Sequence, residues 1–513
     1  MKFLSVISLC FFLCLCVHSV LSENAITPPR GWNSYDSFSW IISEDEYLQN
    51  AKIISDQLLS QYGYEYAVVD YLWYRDLKGN SNSRGSDTID EWGRLHPDAK
   101  RWPSSNGWKG FKNVADKVHE MGLKFGIHLM AGISTQAYDA NTPILDTKTG
   151  KAYEESGKVW HAKDIGIPER ACKWMDNGFM ALNVTSGAGK AFLRSLYELY
   201  ISWGLDFVKL DCVFGEDLDF EEISYVSQTL KEIKPSIVFS LSPGVKATPN
   251  MAKVINGLVN TYRVTGDDWD KWSDVASHFD VARDFGAAKL IGAQGLNGKS
   301  WPDLDMLPFG WLTDPAVNQG PHRLTNLNLE ERQTQMTLWC MAKSPIMYGG
   351  DLRNLDSWKK DGLIINPTLL FINANSKDNA EACEPFLLLF VRFSSITTLN
   401  DVNNIEEEEK EENEDMENVK AEVSTSGIRA WVATGNNGGQ SPQGQDIYIA
   451  FFNLNNVPKT ISAKIDDLAK ALPGKKLIGL QGREVWSLKS ITIGDVLSAQ
   501  VAPHGCALFV FDY

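Results

Sequence analysis

The segment Asp206-Phe207-Val208-Lys209-Leu210-Asp211 is the part of the chain that decides the fold. It is mostly apolar, it is short, and a helix-length amphipathic stretch follows it along the chain. Strands buried on both faces read as such near-continuous apolar runs, which is typical of parallel sheets whose outer face is covered by helices. The segment therefore predicts a parallel strand that ends in a carboxylate.

The same pattern recurs on either side of this segment. The segment itself belongs to the strand candidate Leu205–Asp211. The other strand candidates are Tyr64–Asp70, Leu123–Met130, Ile237–Ser242 and Leu258–Val264. The stretches between them repeat apolar residues at the spacing of one buried helix face, namely Ser43–Ser60, Phe111–Met121, Gly189–Trp203, Phe220–Ile233 and Asp270–Phe285. About eight such units favour a (β/α)8 barrel, which we place at residues 23–365. No GxGxxG loop follows a strand, which disfavours a dinucleotide-binding sheet.

Beyond residue 365 the helical periodicity gives way to short alternating runs separated by Gly, Pro and Asn. These runs predict a C-terminal antiparallel β-sandwich over residues 366–513, with strands at Phe386–Phe393, Ile428–Thr434, Asp446–Asn453, Lys476–Leu480 and Ala507–Tyr513. Residues 401–422 hold eleven acidic residues and two lysines. Such a block buries too little apolar surface to fold, so we expect a disordered insertion. Calcium capture and a docking tail are the functional alternatives.

Charge and the N-terminal segment bound the cellular context. The formal charge of −16 excludes a nucleic-acid partner, because phosphate binding needs a basic surface. Residues 1–22 combine a basic start, an apolar core and a small residue before a polar break, as in a signal peptide. A membrane anchor is the alternative, but the apolar core has no charged stop-transfer flank. We expect the secretory pathway, with export to the cell wall or a vacuole.

Five cysteines remain after that segment, at positions 172, 212, 340, 383 and 506. An odd number in an oxidising compartment permits at most two bridges. There is no CxxC pair or His/Cys cluster, so we expect neither a zinc site nor another cofactor. Asn183-Val184-Thr185 is a candidate N-glycosylation site.

Polar residues at the ends of the predicted strands mark the candidate site. In a parallel barrel these ends converge on one pocket, and they carry Asp70, His128, Lys209, Asp211, Ser242, Arg263, Asp267, Asp303 and Asp305. An aspartate at a strand end can simply cap the next helix, but carboxylates dominate the whole set. A carboxylate-rich barrel mouth suits glycoside hydrolysis, in which one acid attacks the anomeric carbon and another protonates the leaving oxygen.

The chain resembles glycoside hydrolase family 27, the α-galactosidase and α-N-acetylgalactosaminidase family, along the whole barrel. Six ordered motifs carry the resemblance: Thr27–Tyr35, Tyr66–Asp70, Gly122–His128, Phe207–Asp211, Arg263–Asp267 and Trp301–Leu307, with Gln335–Trp339 and Gly350–Arg353 after them. The resemblance implies a retaining mechanism with Asp211 as nucleophile and Asp267 as general acid/base, their carboxyl groups about 5–5.5 Å apart.

The resemblance also implies a set of substrate-binding residues. Lys209 lies two residues before Asp211, on the same strand face, and would keep the nucleophile ionised. Arg263 would bind sugar hydroxyls and act on Asp267. Asp303 would contact the sugar or, alternatively, cap or support the site. The full set of expected substrate contacts is Trp32, Tyr35, Asp70, Tyr71, His128, Lys209, Ser242, Arg263, Asp305 and Met306. For Trp32 a place in the barrel core is the alternative.

The chain departs from the family pattern around the sugar. The usual pair of adjacent acids after the second strand reads Asp70-Tyr71, so a ring replaces one carboxylate. Tyr35 stands where the family has Trp, His128 where it has Tyr, and Ser242 where α-galactosidases have Glu. The family's cysteine two residues after the nucleophile is Val213 here. A bridge between Cys172 and Cys212 is a candidate that spacing alone does not establish.

These departures put the sugar, not the chemistry, in question. β-L-arabinopyranose has the ring configuration of α-D-galactose without C6, so loss of the second acid favours it, and residues 126–133 resemble the arabinopyranosidase branch of the family. Ser242 supports the rival, an α-N-acetylgalactosaminidase, which does not explain Tyr71. An alternative of another class is a non-catalytic sugar-binding protein on the same barrel. Loss of Asp211 or Asp267 would be the sign of such a protein, and both are present.

Overall fold

The computed structural model describes residues 23–315, 317–382, 426–435 and 446–513. Four features expected from the sequence lie outside these ranges: the signal peptide, the acidic segment 401–422, Cys383 and the strand at residues 386–393. Within the described ranges the chain forms a barrel followed by an antiparallel sandwich, which confirms the predicted fold class.

Eight parallel strands of the described residues make the barrel sheet, in which the first seven lie side by side in chain order and the last neighbours the first. A parallel bridge between Leu307 and Tyr348 connects its two ends. The strands are β1 Arg30–Asn33, β2 Tyr66–Val69, β3 Lys124–Met130, β4 Phe207–Phe214, β5 Val238–Pro243, β6 Thr261–Arg263, β7 Gly298–Asp303 and β8 Ile346–Tyr348. All five strands predicted from the sequence are present, with each end within three residues of the predicted one.

A helix follows each barrel strand. The helices are α1 Glu44–Ile53, α2 Lys112–Glu120, α3 Gly187–Ser202, α4 Phe220–Ile233, α5 Pro249–Ile255, α6 Trp272–Ala287, α7 Leu329–Met341 and α8 Pro367–Asn375. Side-chain caps begin several of them: Ser43 and Glu46 form a capping box at α1, and Asp219 caps α4. Such caps satisfy backbone N–H groups that have no partner within the helix. A π-helical turn, Ile54–Leu59, and a short helix, Ser60–Tyr62, extend α1.

Strand register separates the inner face of the barrel from its outer face. Paired residues of neighbouring parallel strands share a face, and successive residues alternate. The pairs Phe207–Gly126 and Gly126–Val68 place these residues on the same face, in one small apolar cluster inside the barrel. Lys209 and Asp211 follow Phe207 at steps of two, so their side chains point to the interior.

The longest excursion from the barrel lies between β3 and α3. It contains a three-stranded antiparallel sheet made of Ile133–Ser134, Phe179–Leu182 and Gly166–Ala171. Two small hairpins pair Leu145–Asp146 with Lys151–Ala152 and Glu154–Glu155 with Lys158–Val159, and Thr135–Ala140 and Ala162–Ile165 are short helices. This excursion places residues 172–178 at the same end of the barrel as Asp211, because Cys172 is bonded to Cys212.

Smaller elements complete the barrel domain. Ala293–Gly295 pairs antiparallel with β7, and Trp311–Leu312 pairs with Arg323–Leu324. The short helices are Tyr35–Phe38, Pro103–Ser105, Asn256–Leu258 and Asp356–Lys359. No helix among the described residues has the length and apolar character needed to cross a membrane.

Within the described residues, eight strands form the sandwich. They are β9 Ser376–Glu381, β10 Ile428–Gly435, β11 Asp446–Asn453, β12 Lys459–Lys464, β13 Gln481–Glu484, β14 Ser490–Thr492, β15 Val496–Val501 and β16 Cys506–Asp512, with a helix at Ile465–Ala471. The larger sheet has the order β9-β10-β11-β16-β13-β14, and the pair β12-β15 packs on it around an apolar core. The sandwich docks on α6, where Phe452 contacts Phe279 with ring centroids 5.0 Å apart.

The strand predicted at Lys476–Leu480 is wrong. These residues form a turn and an irregular stretch before β13. Leu477 is buried, but Ile478 is exposed, and Gly479 has φ +87°, a left-handed conformation that a strand does not contain. One buried leucine in a turn therefore produced the apparent alternation.

Candidate active site

The carboxyl-terminal ends of β2, β3 and β4 bring three charged or polar side chains together. Lys209 pairs in register with His128 on β3, and Asp70 directly follows β2. Because these positions share the inner face of the barrel, their side chains converge at one end of it. Asp211, two residues beyond Lys209, joins them there.

Asp211 is buried and hydrogen-bonded on both carboxylate oxygens. Its Oδ2 lies 2.9 Å from Nε2 of His128, and its Oδ1 accepts the backbone N–H of Cys212 at 2.5 Å. Burial by itself would raise the pKa of Asp211, but the hydrogen bond and charge of His128, together with Lys209 and the Cys212 N–H, outweigh it and lower the pKa. Asp211 is therefore held as a carboxylate.

Asp70 forms an ion pair with Lys209. The two are 3.3 Å apart between Oδ2 and Nζ, and the amide of Asn33 donates to the same oxygen at 2.8 Å. Burial would raise the pKa of Asp70, but Lys209 and His128 outweigh burial and lower it to about 2. Burial would lower the pKa of Lys209, but the attraction of Asp70, together with that of Asp305 and Asp211, outweighs burial and raises the pKa. Both groups stay charged over the working range of a hydrolase.

A second cluster joins Arg263 to Asp267 and Asp305. Arg263 is buried, and its guanidinium lies 2.7 Å from Oδ1 of Asp305 and 3.4 Å from Oδ1 of Asp267. Burial and the charge of Asp267 raise the pKa of Asp305, against the opposing effect of Arg263. The Asp267 side chain is 57% exposed, so its carboxyl group can exchange protons with solvent.

One cavity of about 360 Å³ opens between these two clusters. Asp211 and Asp267 both line it, which places the two predicted catalytic acids on one space. Its lining consists of Tyr35, Asp70, Tyr71, Ser81, His128, Trp174, Lys209, Asp211, Pro243, Val245, Asp267 and Met306. The volume lies within the range of small-molecule sites.

Aromatic rings form one side of the cavity. The ring of Tyr71 contacts the rings of Tyr35, His128 and Trp174, with centroids 5.3, 5.9 and 6.1 Å apart. Each contact is edge-to-face, the arrangement that aromatic pairs favour. Burial raises the pKa of Tyr71 to about 12, so the phenol stays neutral and the wall carries no second negative charge.

Trp32 does not line the cavity, which corrects the expectation that it contacts substrate. It pairs in register with Ala67, whereas its neighbour Asn33 pairs with Val68 on the inner face. Trp32 therefore points outward, where it is fully buried against Phe38 of the barrel's outer layer, and its indole N–H donates to the Gly350 carbonyl at 2.8 Å.

Three further residues expected to contact substrate lie behind the cavity wall in this structure. Ser242 is completely buried and its hydroxyl has no partner among the described residues, while the next residue, Pro243, reaches the cavity. Arg263 and Asp305 are buried in their mutual ion pair. Asp303, expected to cap or support the site, accepts the backbone N–H of Asp305 at 2.9 Å and so supports that pair from behind.

Sequence reasoning missed Asn33 and four residues of the cavity lining: Ser81, Trp174, Pro243 and Val245. Asn33 belongs to a quoted motif, but its bond to Asp70 depends on strand register. Trp174 lies on the excursion after β3, far along the chain from the end of every barrel strand. The nearby Cys172 is the one sequence feature that could have placed Trp174 at the site, because Cys172 forms a disulfide with Cys212, the residue after Asp211.

The other expected chemical features take these positions. Cys340 and Cys506 are free thiols within the described residues. Asn183 lies in the turn before α3, partly exposed, and its Oδ1 accepts the Thr185 hydroxyl at 2.6 Å. The described part of the chain contains no group of three or more His, Cys, Asp or Glu placed to hold a metal ion.

Comparison with known proteins accounts for this geometry. A family model described as α-galactosidase A matches residues 32–155 and 185–375. The chain belongs to this family. A second model, described as the α-galactosidase C-terminal β-sandwich domain, matches residues 425–511. The protein is thus a glycoside hydrolase, with the barrel and sandwich that the sequence predicts.

The enzyme is similar to α-galactosidases and to two bacterial structures. An α-galactosidase of Oryza sativa subsp. japonica is 23% identical over 494 residues, which cover 95% of this chain and 86% of that one. A family 27 β-L-arabinopyranosidase of Geobacillus stearothermophilus, solved with arabinose, has 29% identity and a TM-score of 0.76 and covers 95% of this chain and 98% of its own. A putative α-N-acetylgalactosaminidase of Bacillus halodurans has 28% identity and a TM-score of 0.71, with coverage of 95% and 98%.

Proposed function

We propose that this enzyme is a retaining exo-glycosidase that releases terminal β-L-arabinopyranosyl or α-D-galactosyl residues through a covalent glycosyl-enzyme. The observation that carries the proposal is the pair Asp70-Tyr71 in a cavity that also holds Asp211 and Asp267. The two acids supply the chemistry of glycoside hydrolysis. Asp70 and Tyr71 select the sugar.

Asp211 has the properties that a nucleophile needs. It is ionised, because its pKa is lowered in spite of burial. The hydrogen-bond donors His128 and Cys212 fix its orientation. It opens on the cavity together with Lys209. A carboxylate held rigidly in a partly dry site attacks an anomeric carbon without first reorganising its surroundings.

Asp267 has the properties that a general acid/base needs. It faces the same cavity, it is open to solvent, and Arg263 lies 3.4 Å from one oxygen. In the first step Asp267 would protonate the departing oxygen. In the second step the same carboxylate would take a proton from water as that water attacks the glycosyl-enzyme. The exposure of Asp267 lets the leaving group depart and water enter.

The choice of sugar follows from the residues beside Asp70. Asp70 is an ionised acceptor for sugar hydroxyls, and Lys209 is a charged donor next to it. At position 71 a buried aromatic ring replaces a second acceptor. Tyr71 offers no carboxylate acceptor for the hydroxymethyl group at C6, whereas a pentopyranose has no such group to leave unpaired. We therefore expect arabinopyranosides to be preferred over galactosides.

A second candidate is an α-N-acetylgalactosaminidase. The similarity to the putative enzyme of Bacillus halodurans and the small residue Ser242 favour it. The burial of Ser242 behind Pro243 weighs against it, because an acetamido group would need open space at that point of the wall. We rank this activity below the pentose and galactose activities.

The test compares three nitrophenyl glycosides side by side: the β-L-arabinopyranoside, the α-D-galactoside and the α-N-acetylgalactosaminide. We expect the highest kcat/KM for the arabinopyranoside and loss of all turnover in Asp211→Asn, with the melting temperature of that variant as its folding control. Undiminished turnover in Asp211→Asn would remove the assigned nucleophile. Sugar binding without turnover from acidic to neutral pH would instead support a binding protein.

The role of Tyr71 is tested by Tyr71→Asp with Tyr71→Phe as its matched control. The aspartate variant should gain galactosidase relative to arabinopyranosidase activity, because it restores an acceptor where C6 would lie. The phenylalanine variant keeps the ring and should keep the wild-type ratio. An unchanged ratio in Tyr71→Asp would contradict our account of specificity.

We also propose that the enzyme acts in the secretory pathway or beyond it. The disulfide between Cys172 and Cys212 supports this proposal, because such bridges persist in oxidising compartments. Asn183 would then be available for glycosylation. A mass shift of the purified protein on endoglycosidase treatment, abolished in Asn183→Gln, would support this location.

A further inference from the structure

Trp174 combines exposure with a position on the cavity wall. Its side chain is 43% exposed, whereas the neighbouring wall residue Tyr71 is buried. Tryptophan is highly buried on average in folded proteins, so an indole left open at the mouth of a cavity has apolar surface available for a ligand.

The segment that carries Trp174 is fastened on both sides. Cys172 is bonded to Cys212, next to the nucleophile, and Met175 is fully buried. Asn82 then ties the segment to the facing loop: its amide donates to Asp176 at 2.9 Å, and its Oδ1 accepts the Asn177 N–H at 3.0 Å. An indole held in this way loses little freedom when a ligand packs on it.

The contacts of the wall give the order of residues from the floor of the cavity to its mouth. His128 contacts Asp211 at the floor, Tyr71 contacts His128, and Trp174 contacts Tyr71 with ring centroids 6.1 Å apart. The sugar that Asp211 attacks must lie at the floor. Trp174 is two rings further out, where the group leaving from the anomeric carbon has to pass.

We propose that Trp174 is a specificity-determining residue that binds the leaving group by packing against its ring, whether a pyranose or an aryl group. This inference rests on the proposed function, because it assigns the leaving-group side of the same site. The disulfide makes Trp174 part of a rigid wall, and Tyr71 marks the boundary between the cleaved sugar and the leaving group.

The experiment compares leaving groups with and without a ring. Wild type and Trp174→Ala are assayed with the nitrophenyl glycoside and with the glycosyl fluoride of the preferred sugar, and the free sugar serves as inhibitor. We expect kcat/KM for the nitrophenyl glycoside to fall about tenfold, the scale of one lost aromatic contact with its buried area. The values for the fluoride and for inhibition by free sugar should stay at wild-type level, and Trp174→Phe should retain most of the nitrophenyl activity.

Trp108→Ala is the matched control, because Trp108 is 61% exposed and does not line the cavity. It should leave all three measurements unchanged. An equal loss with fluoride and nitrophenyl substrates would overturn the proposal, since Trp174 would then act on the cleaved sugar. No loss with either substrate would overturn it as well. If wild type hydrolyses neither, the proposed function itself fails, and this inference falls with it. If Trp174→Ala does not fold, the same comparison is made with Trp174→Phe. This variant should show a smaller fall in kcat/KM than expected for alanine, and the fall should occur only with the nitrophenyl substrate.

Discussion

Replacement of His128 by phenylalanine should move the acidic limb of the pH–activity profile upward. An ionised carboxylate only accepts hydrogen bonds, so Nε2 of His128 must donate to Oδ2 of Asp211 across the 2.9 Å that separates them. Both side chains are buried, and phenylalanine fills the ring volume without a donor. The variant therefore removes the hydrogen bond and leaves the burial of Asp211 in place.

The magnitude follows from the worth of that bond. A hydrogen bond to a charged group contributes about 1.5–3 kcal/mol, and about 1.4 kcal/mol corresponds to one pKa unit. Because burial opposes ionisation and His128 is the first of the groups that counteract it, the pKa of Asp211 should rise by roughly one to two units. Asp211 attacks only when ionised, so activity is lost as pH falls through its pKa. The raised pKa brings that loss to higher pH.

The assay is kcat/KM for a nitrophenyl glycoside as a function of pH, which reports the ionisations of the free enzyme. The basic limb of the profile should stay in place. His128→Tyr is the control, because a phenol keeps an O–H donor and should show a smaller shift. Coincident acidic limbs in wild type and His128→Phe would refute the reasoning, since His128 would then not hold Asp211 ionised.

Three further predictions concern stability. Burial raises the pKa of Glu222 from 4.5 to about 7. The stabilisation that the protonated group gives below pH 4.5 is therefore lost as pH rises through 7, about 3 kcal/mol in all. Urea unfolding at pH 4.5 and pH 8 should show this loss for wild type but not for Glu222→Gln, and parallel pH dependences of the two proteins would contradict the prediction. The bridge between Cys172 and Cys212 spans 40 residues. Replacing both cysteines by alanine should therefore lower the free energy of unfolding by about 4 kcal/mol and lower the urea midpoint. An unchanged midpoint would show that the unfolded chain without the bridge is equally constrained. Trp32→Phe loses the hydrogen bond to Gly350, so its free energy of unfolding should fall by about 1 kcal/mol while its KM stays unchanged. A raised KM would instead show that Trp32 contacts the substrate.

Much of the fold and half of the site could be predicted because they depend on local periodicity. Apolar runs of strand length, each followed by a helix with one apolar face, indicate a parallel barrel without further information. In that architecture the polar residues after the runs must meet. Asp70, His128, Lys209, Asp211 and Asp267 line the cavity for this reason.

The misplaced residues depend on register, which periodicity does not encode. Strands buried on both faces show no alternation of apolar and polar residues, so nothing local tells that Trp32 points outward and Asn33 inward. Pairing with Ala67 and Val68 on β2 decides between them, and this pairing is a property of the closed barrel. Ser242 faces inward as expected, but its depth depends on how far Pro243 and Val245 extend beyond it.

Trp174 could not be predicted because a loop brings it to the site. Its proximity to Tyr71 depends on a three-stranded excursion and on a disulfide between residues 40 apart. Cysteine spacing alone allows several pairings. A residue that contacts the ligand from a loop has no periodic context, so only the folded arrangement identifies it.

The charge balance of the cavity links the choice of sugar to the chemistry. The ammonium of Lys209 forms an ion pair with Asp70 at 3.3 Å and also attracts the carboxylate of Asp211. Its charge lowers the pKa of both acids. A second carboxylate at position 71 would draw on the same ammonium and raise the pKa of its neighbours. The neutral ring of Tyr71 avoids this competition and leaves Lys209 to the two acids that must stay ionised. Under the proposed function, Tyr71 would therefore remove a contact to C6 and at the same time preserve the ionised state of Asp211 that the attack requires.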